Sequence, residues 1–155
     1  MNLPAAKEQV DRWKKQGKRV VFTNGCFDLL HLGHVDYLEK AKGLGDVLVV
    51  GLNSDDSVSR FKGPQRPIQD QTSRSRVMAS LHAVDLVVFF NEDTPFELIS
   101  ALLPQVLVKG SDYLAENIVG ADVVKNAGGV VKTIDFVPGY STTRIVDKIR
   151  DNLIQ

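Results

Sequence analysis

The sequence predicts one α/β domain built on a parallel, doubly wound, Rossmann-like sheet of mainly five strands. Three observations lead there. Short apolar segments alternate along the chain with stretches of helical periodicity. The segment Asp46 to Leu52 is almost wholly apolar, as a strand covered on both faces must be. The run from Thr23 to His34 leaves an apolar strand, turns through small and polar residues and enters a helix. In a parallel sheet such a junction lies beside the carboxyl ends of the strands, where free helix N–H groups and the local dipole favour an anion.

In chain order, Leu3, Ala6, Val10 and Trp13 recur at helical spacing and Gly17 stops that helix, which reads as an N-terminal extension over residues 1–17 of a single domain covering 1–155. Arg19 to Thr23 is the first strand. Gly33 to Leu44 is a helix with Val35, Leu38 and Ala41 on one side, and Asp46 to Leu52 is the second strand. Ser54 caps a short helix with Asp55 and Asp56 in its first turn. Phe61 to Asp70 is too broken by Pro and Gly for a regular element and forms a basic loop. A helix follows from Thr72 or Ser73 to about His82, then a strand from Val84 to Phe90. Pro95 opens a helix that ends near Leu103, with Pro104 at its exit. Gln105 to Lys109 is a strand, 117–127 a weaker helix, Val130 to Ile134 the fifth strand and Thr142 to Leu153 a final helix with Ile145, Ile149 and Leu153 four residues apart.

Nineteen basic residues balance nineteen acidic ones, which removes the usual ground for non-specific nucleic-acid binding while allowing a local basic pocket. Cys26 is the sole cysteine, so neither an intrachain disulfide nor a cysteine-built zinc site is expected. It reads as a small packed residue. No apolar run approaches the roughly 18 residues of a membrane helix, and residues 1–17 lack a signal-peptide core. The expectation is a cytosolic protein without membrane insertion.

His31 and His34, three apart with Gly33 between them, sit where two imidazoles can donate to phosphate oxygens. Two histidines alone are too few ligands for a metal centre. Lys62 and Arg66 lie in the loop that can close over negative groups. Ser141, Thr142 and Thr143 stand at a helix entrance, where hydroxyls either meet phosphate or cap the helix. Other residues carry two readings. Asp28 either positions a ligand or caps the turn, Asn53 either reads ligand hydroxyls or satisfies the strand exit, and Lys109 and Asp112 either bind ligand or pair locally. Arg74 reads as a surface residue. Trp13 is a packing anchor or an oligomer contact, and Phe89 and Phe90 fit either the strand core or the border of a base.

The segments 22–28 (Phe-Thr-Asn-Gly-Cys-Phe-Asp), 31–34 (His-Leu-Gly-His), 51–55, 62–67 (Lys-Gly-Pro-Gln-Arg-Pro), 109–113 and 138–144 (Pro-Gly-Tyr-Ser-Thr-Thr-Arg) together resemble the nucleotidyltransferase superfamily that includes cytidylyltransferases and pantetheine-phosphate adenylyltransferase. Within it the pattern is most similar to the branch acting on D-glycero-β-D-manno-heptose 1-phosphate. The resemblance implies transfer of AMP from ATP to that sugar phosphate, giving ADP-heptose for bacterial surface polysaccharide and releasing pyrophosphate. It implies catalytic roles for His31, His34, Lys62 and Arg144. Nucleotide contacts would come from Thr23, Asn24, Phe27, His31, His34, Lys109, Ser141, Thr142 and Thr143, and sugar phosphate contacts from Asp28, Asn53, Lys62, Arg66, Arg76 and Asp112. Mg2+ is expected to accompany ATP, held mostly by phosphate and water oxygens, with no protein ligand assigned. Pro138-Gly139-Tyr140 departs from the approach found in many cytidylyltransferases, which disfavours CTP. Two other functions fit the same residues: a cytidylyltransferase for a small phosphorylated alcohol, and a nucleotide-binding regulatory module without turnover. A homo-oligomer is compatible with the sequence.

Overall fold

A computed structural model describes residues 1–114 and 117–153. The end of the expected domain, residues 154–155, lies outside them. In chain order the elements are α1 (Leu3–Lys15), β1 (Val20–Gly25), α2 (Leu32–Lys42), β2 (Val47–Asn53), α3 (Asp55–Lys62), α4 (Gln71–Ala79), β3 (Leu86–Phe90), α5 (Phe96–Leu102), β4 (Val106–Gly110), α6 (Ala121–Asn126), β5 (Val130–Ile134) and α7 (Thr142–Leu153). The five strands form one parallel sheet in the order β3-β2-β1-β4-β5.

Strand alternation explains why both faces are covered. Val20 and Phe22 of β1, Val47 and Val49 of β2 and Leu107 of β4 point to the side where α1, α5 and α6 contribute Ala6, Val10, Leu98, Ile99 and Val124. Val21, Leu48, Val50, Val106 and Val108 point to the other side, against Tyr37, Leu38 and Ala41 of α2 and Met78 of α4. Helix α1, read from sequence as an extension, therefore supplies two fully buried residues to the first core, and Trp13 packs at its edge.

Caps account for several boundaries that differ from the sequence reading. The Asp70 carboxylate accepts from Ser73 N at 2.8 Å, so α4 begins at Gln71 and not at Thr72 or Ser73. Gly120, with φ of 81°, delays α6 to Ala121. The short helix α3 runs through Phe61 and Lys62, which removes both from the expected loop. On α7 the four-residue apolar stripe is largely uncovered, with Ile149 53% and Leu153 79% exposed.

The chain winds outward from β1 to β2 and β3, then crosses to the opposite side of β1 to lay down β4 and β5. The change of direction falls between β1 and β4. Pairing of β1 with β2 runs over six residues, from Val20↔Val47 to Gly25↔Leu52. Pairing of β1 with β4 covers only Val21↔Val106 and Phe22↔Leu107. Beyond Phe22 and Leu107 the two strands part, leaving an opening at the carboxyl end of the sheet where α/β proteins place their ligands.

Candidate active site

A cavity of about 600 Å³ fills this opening, bordered by the ends of β1, β2, β3 and β4 and by the start of α7. The chain enters it through a turn that uses Phe27 in the left-handed region, at φ of 44°. The Phe27 ring folds back so closely on Gly25 that a Cβ there would lie 2.9 Å from the ring, which accounts for glycine at the strand end. His31 then occupies the cap position of α2 with extended backbone, and His34 follows in the first turn.

The two imidazoles stack, with centroids 3.8 Å apart and planes 23° from parallel. Phe27 meets His34 edge-on at 5.3 Å. His34 and Phe27 border the cavity, while the partly exposed His31 stacks on His34 and is not part of the lining. Burial, followed by the neighbouring His31 and Lys62, pushes the His34 pKa down to about 4, and burial also lowers that of His31. Near neutral pH both rings are uncharged, each with one N–H and one free acceptor. Their Nδ1 atoms are buried without a protein partner, as is Oδ1 of Asn24 on the cavity wall.

Lys62 stands exposed at the end of α3 and borders the cavity from one side, and Lys109 borders it from the other. Burial pulls the Lys109 pKa down to about 8 against the raising effect of Asp112, which shares the wall. Its Nζ sits 5.4 Å from the centre of the Tyr113 ring. Thr142 also borders the cavity, and its hydroxyl donates to Leu29 O at 3.3 Å, tying α7 to the turn before the histidines.

Several expected ligand contacts are instead spent inside the protein. The Asp28 side chain is 1% exposed. Its carboxylate accepts from Arg66 Nε at 2.8 Å and from the backbone N–H groups of Ile68 and Gln69 at 2.9 Å each. Burial raises its pKa, but the hydrogen bonds from Gln69, Ile68 and Arg66 outweigh that and hold the carboxyl below its usual range. Asp28 and Arg66 thus fasten the 63–70 loop to the turn, and Arg66 is not in the cavity wall. Thr23 is fully buried and shares a 2.8 Å hydrogen bond with the Tyr37 hydroxyl, so it lies beneath the cavity and not along it. Tyr37 itself forms part of the wall and stacks on Phe136.

Arg76 is exposed on α4, in a shallow surface depression with Asp85 and Phe89, away from the cavity. Ser141 caps α7 by accepting from Arg144 N at 3.1 Å. Arg144 closes on its own loop through Gly139 O at 2.8 Å, and Thr143 is exposed, so of the four residues 141–144 only Thr142 reaches the cavity wall.

The residue that the sequence most misrepresents is Arg74, which is 1% exposed and not on the surface. Its guanidinium donates to Cys26 O at 2.6 Å, Asn53 O at 2.9 Å, Gln69 O at 3.0 Å and the Asp55 carboxylate at 2.7 Å. One side chain therefore ties together the ends of β1 and β2, the start of α3 and the approach to α4. Its four-residue spacing from buried Met78 is the one sequence signal that it faces inward. Asn53 reaches the cavity and also satisfies the strand exit, donating to Ser57 Oγ at 3.0 Å. Cys26 is buried, and burial pushes its thiol pKa up, as suits a packed residue. Phe90 borders the cavity and Phe89 does not. Wall residues that the sequence reading did not assign to the site include Tyr37, Phe61, Asp93, Thr94, Ile118 and Phe136. No helix among the described residues is long and apolar enough to cross a membrane.

The cytidylyltransferase-like family profile matches residues 22–148. The bifunctional protein HldE of Geotalea uraniireducens (strain Rf4) is 56% identical over 99% of this chain and 31% of its own length. That of a Nitratiruptor species is 60% identical over 88% of this chain and 29% of its own length. The chain thus spans about a third of the curated relatives it matches. Among solved structures, a lipopolysaccharide core biosynthesis protein from Thermoplasma volcanium GSS1 superposes with a TM-score of 0.62 at 31% identity, over 78% of this chain and 98% of that one. A pantoate-β-alanine ligase from Francisella tularensis reaches the same TM-score at 16% identity, over 99% of this chain and 78% of that one, a likeness of fold alone.

Proposed function

Because the chain belongs to the cytidylyltransferase-like family, we infer that it acts as one nucleotidyltransferase domain that transfers AMP from ATP to D-glycero-β-D-manno-heptose 1-phosphate. The observation that carries this reading is the His31–His34 stack beside Lys62, at the opening between β1 and β4. The motif resemblance selects the heptose branch. The Thermoplasma protein is named for lipopolysaccharide core biosynthesis, which agrees with a product destined for surface polysaccharide.

In this reaction an anionic oxygen of the sugar 1-phosphate attacks the α-phosphorus of ATP. The new P–O bond forms as the bond from the α-phosphorus to the bridging oxygen breaks, and pyrophosphate leaves with that electron pair. The attacking oxygen carries no proton, so no general base is required. What the protein contributes is alignment and compensation of charge on the transferring group. A neutral His34 donates its N–H to an α-phosphate oxygen, and His31, stacked against it, fixes the ring plane. Lys62 and Lys109 approach the phosphates from opposite sides, and Thr142 with the first turn of α7 meets the leaving pyrophosphate.

Among the described residues no group of three His, Cys, Asp or Glu side chains is placed to hold a metal ion. Mg2+ brought in with ATP would be held mainly by phosphate and water oxygens and would supply neutralisation of charge on the triphosphate.

The test is a panel of ATP and CTP against heptose 1-phosphate, other sugar 1-phosphates and phosphorylated alcohols, with product masses recorded. ADP-heptose from ATP and heptose 1-phosphate supports the reading. A cytidine product with a phosphorylated alcohol, or nucleotide binding without any product, overturns it.

A further inference from the structure

Nucleotidyl transfer asks only a charge of Lys109, yet its surroundings also favour the free amine. The residue sits near the end of β4 between Val108, which is fully buried, and Gly110, which has no room for a Cβ beside the Phe136 ring. Its side chain is partly buried and borders the cavity, with Nζ 5.4 Å from the centre of the Tyr113 ring. Among the described residues it makes no ion pair, since the Asp112 carboxylate on the same wall lies over Gly110 instead. An ammonium taken partly out of water without a paired carboxylate gives up its proton readily, and burial draws its pKa down to about 8. At neutral pH about a tenth of it is then free amine, against less than about one part in a thousand for an exposed lysine.

We propose that Lys109 is an imine-forming site for phosphorylated aldehydes, which the cavity captures by their phosphate in competition with ATP; the competition rests on the adenylyltransferase reading above. Lys62, His34 and Thr142 border the same cavity and offer a phosphate one ammonium and two donors. Tyr113 and Phe136, with Tyr37 stacked on Phe136 at 5.6 Å, give aromatic faces beside the amine for a flat aldehyde. In the reaction the amine lone pair attacks the carbonyl carbon, the C=O pair moves to oxygen, and a proton passes from nitrogen to that oxygen through water. The carbinolamine expels water as the nitrogen lone pair forms the C=N bond, so amine and aldehyde give imine and water with no oxidant or reductant. The sugar 1-phosphate acceptor cannot react in this way, because its anomeric carbon is closed by the phosphate ester. A sugar phosphate with a free anomeric carbon can, through its open-chain aldehyde. The imine blocks the phosphate site, so such compounds inhibit reversibly.

The experiment incubates the full chain with pyridoxal 5′-phosphate or glyceraldehyde 3-phosphate, traps the imine with borohydride, counts adducts by intact mass and places them by peptide mapping. Pyridoxal and glyceraldehyde are the phosphate-free probes, and Lys109→Arg and Lys62→Arg the variants. One adduct at Lys109 is expected from each phosphorylated probe, formed about tenfold or more faster than from its phosphate-free counterpart, the worth of a hydrogen bond to a charged group. Saturating ATP protects Lys109. Lys109→Arg keeps the charge but loses the adduct, and Lys62→Arg retains it. Adducts spread over exposed lysines, or Lys109 labelled equally fast without the phosphate, overturn the site, and the wild-type map decides this even where Lys109→Arg fails to fold. Lys109 labelled equally fast with ATP bound overturns the proposal while leaving the adenylyltransferase reading standing. Wild type that binds no ATP overturns that reading and the competition with it, whereas a phosphate-dependent adduct at Lys109 still supports the imine site.

Discussion

Arg66 Nε lies 2.8 Å from Asp28 Oδ2, and this pair joins the loop after α3 to the turn that carries the histidines. The same carboxylate receives two backbone N–H groups, so Asp28 organises the loop more than any ligand contact would require. Asp28→Asn loses the charge and presents an N–H to donors on one side. The expected outcome is destabilisation of about 2–3 kcal/mol, read from urea unfolding, and a fall in turnover larger than the fall in ATP affinity. Turnover and stability both at wild-type level would show that the loop is held without Asp28.

Arg74 makes four hydrogen bonds from a fully buried guanidinium. Arg74→Met keeps the aliphatic stem but strands the carbonyls of Cys26, Asn53 and Gln69 and leaves Asp55 without its charged partner, with only Gln71 N still donating to it. A loss of about 3–5 kcal/mol is expected, as for other broken buried pairs. Chemical denaturation checks it. A loss below about 1 kcal/mol would mean that water replaces the guanidinium.

The histidines give the fold an acid limit. His34 titrates near pH 4 in the folded protein and near pH 6.5 when unfolded. Between those values the unfolded chain binds more protons, so stability falls as pH drops from about 6.5 toward 4. His31 is shifted the same way. His34→Gln should flatten this part of the stability-versus-pH curve and, at about pH 7.5, slow pyrophosphate release by about a hundredfold or more, as loss of a transition-state donor does. A curve of unchanged slope would contradict the buried neutral ring.

Lys109 works at the opposite end of the scale. Its pKa of about 8 lies below the usual value near 10.4 for an unfolded chain, so over that interval the unfolded state again holds more protons and stability rises with pH. With Lys109 proposed to hold phosphate, ATP affinity is expected to move the other way, falling above about pH 8 where the ammonium is lost. Lys109→Met should remove both trends and weaken ATP binding near neutral pH, measured by calorimetry. Retention of the alkaline loss of affinity in that variant would assign it to another group.

The parallel five-stranded sheet covered on both faces was legible because apolar runs such as Val47 to Leu52 have few alternatives to a strand buried on both faces. The histidine turn was legible because glycine spacing and a strand-to-helix change are local. What escaped was long-range pairing. Asp28 finds Arg66 across 38 residues, and Arg74 reaches Cys26 O across 48, contacts that no local pattern encodes. The same reason hides Thr94 and Phe136, which come to the cavity only through the order of the strands. Residues 141–144 misled in a different way: a run of hydroxyls reads equally as phosphate site and as helix cap, and here Ser141 caps while Thr142 lines the cavity.

Transfer of the α-phosphoryl group together with its nucleoside is followed most directly by phosphorus label through a single turnover with heptose 1-phosphate. With ATP labelled at the α position, label is expected in a sugar nucleotide of ADP-heptose mass. With ATP labelled at the γ position, label is expected only in pyrophosphate. Label from the γ position on the sugar, or release of labelled pyrophosphate that does not depend on the sugar phosphate, would rule out nucleotidyl transfer at this site.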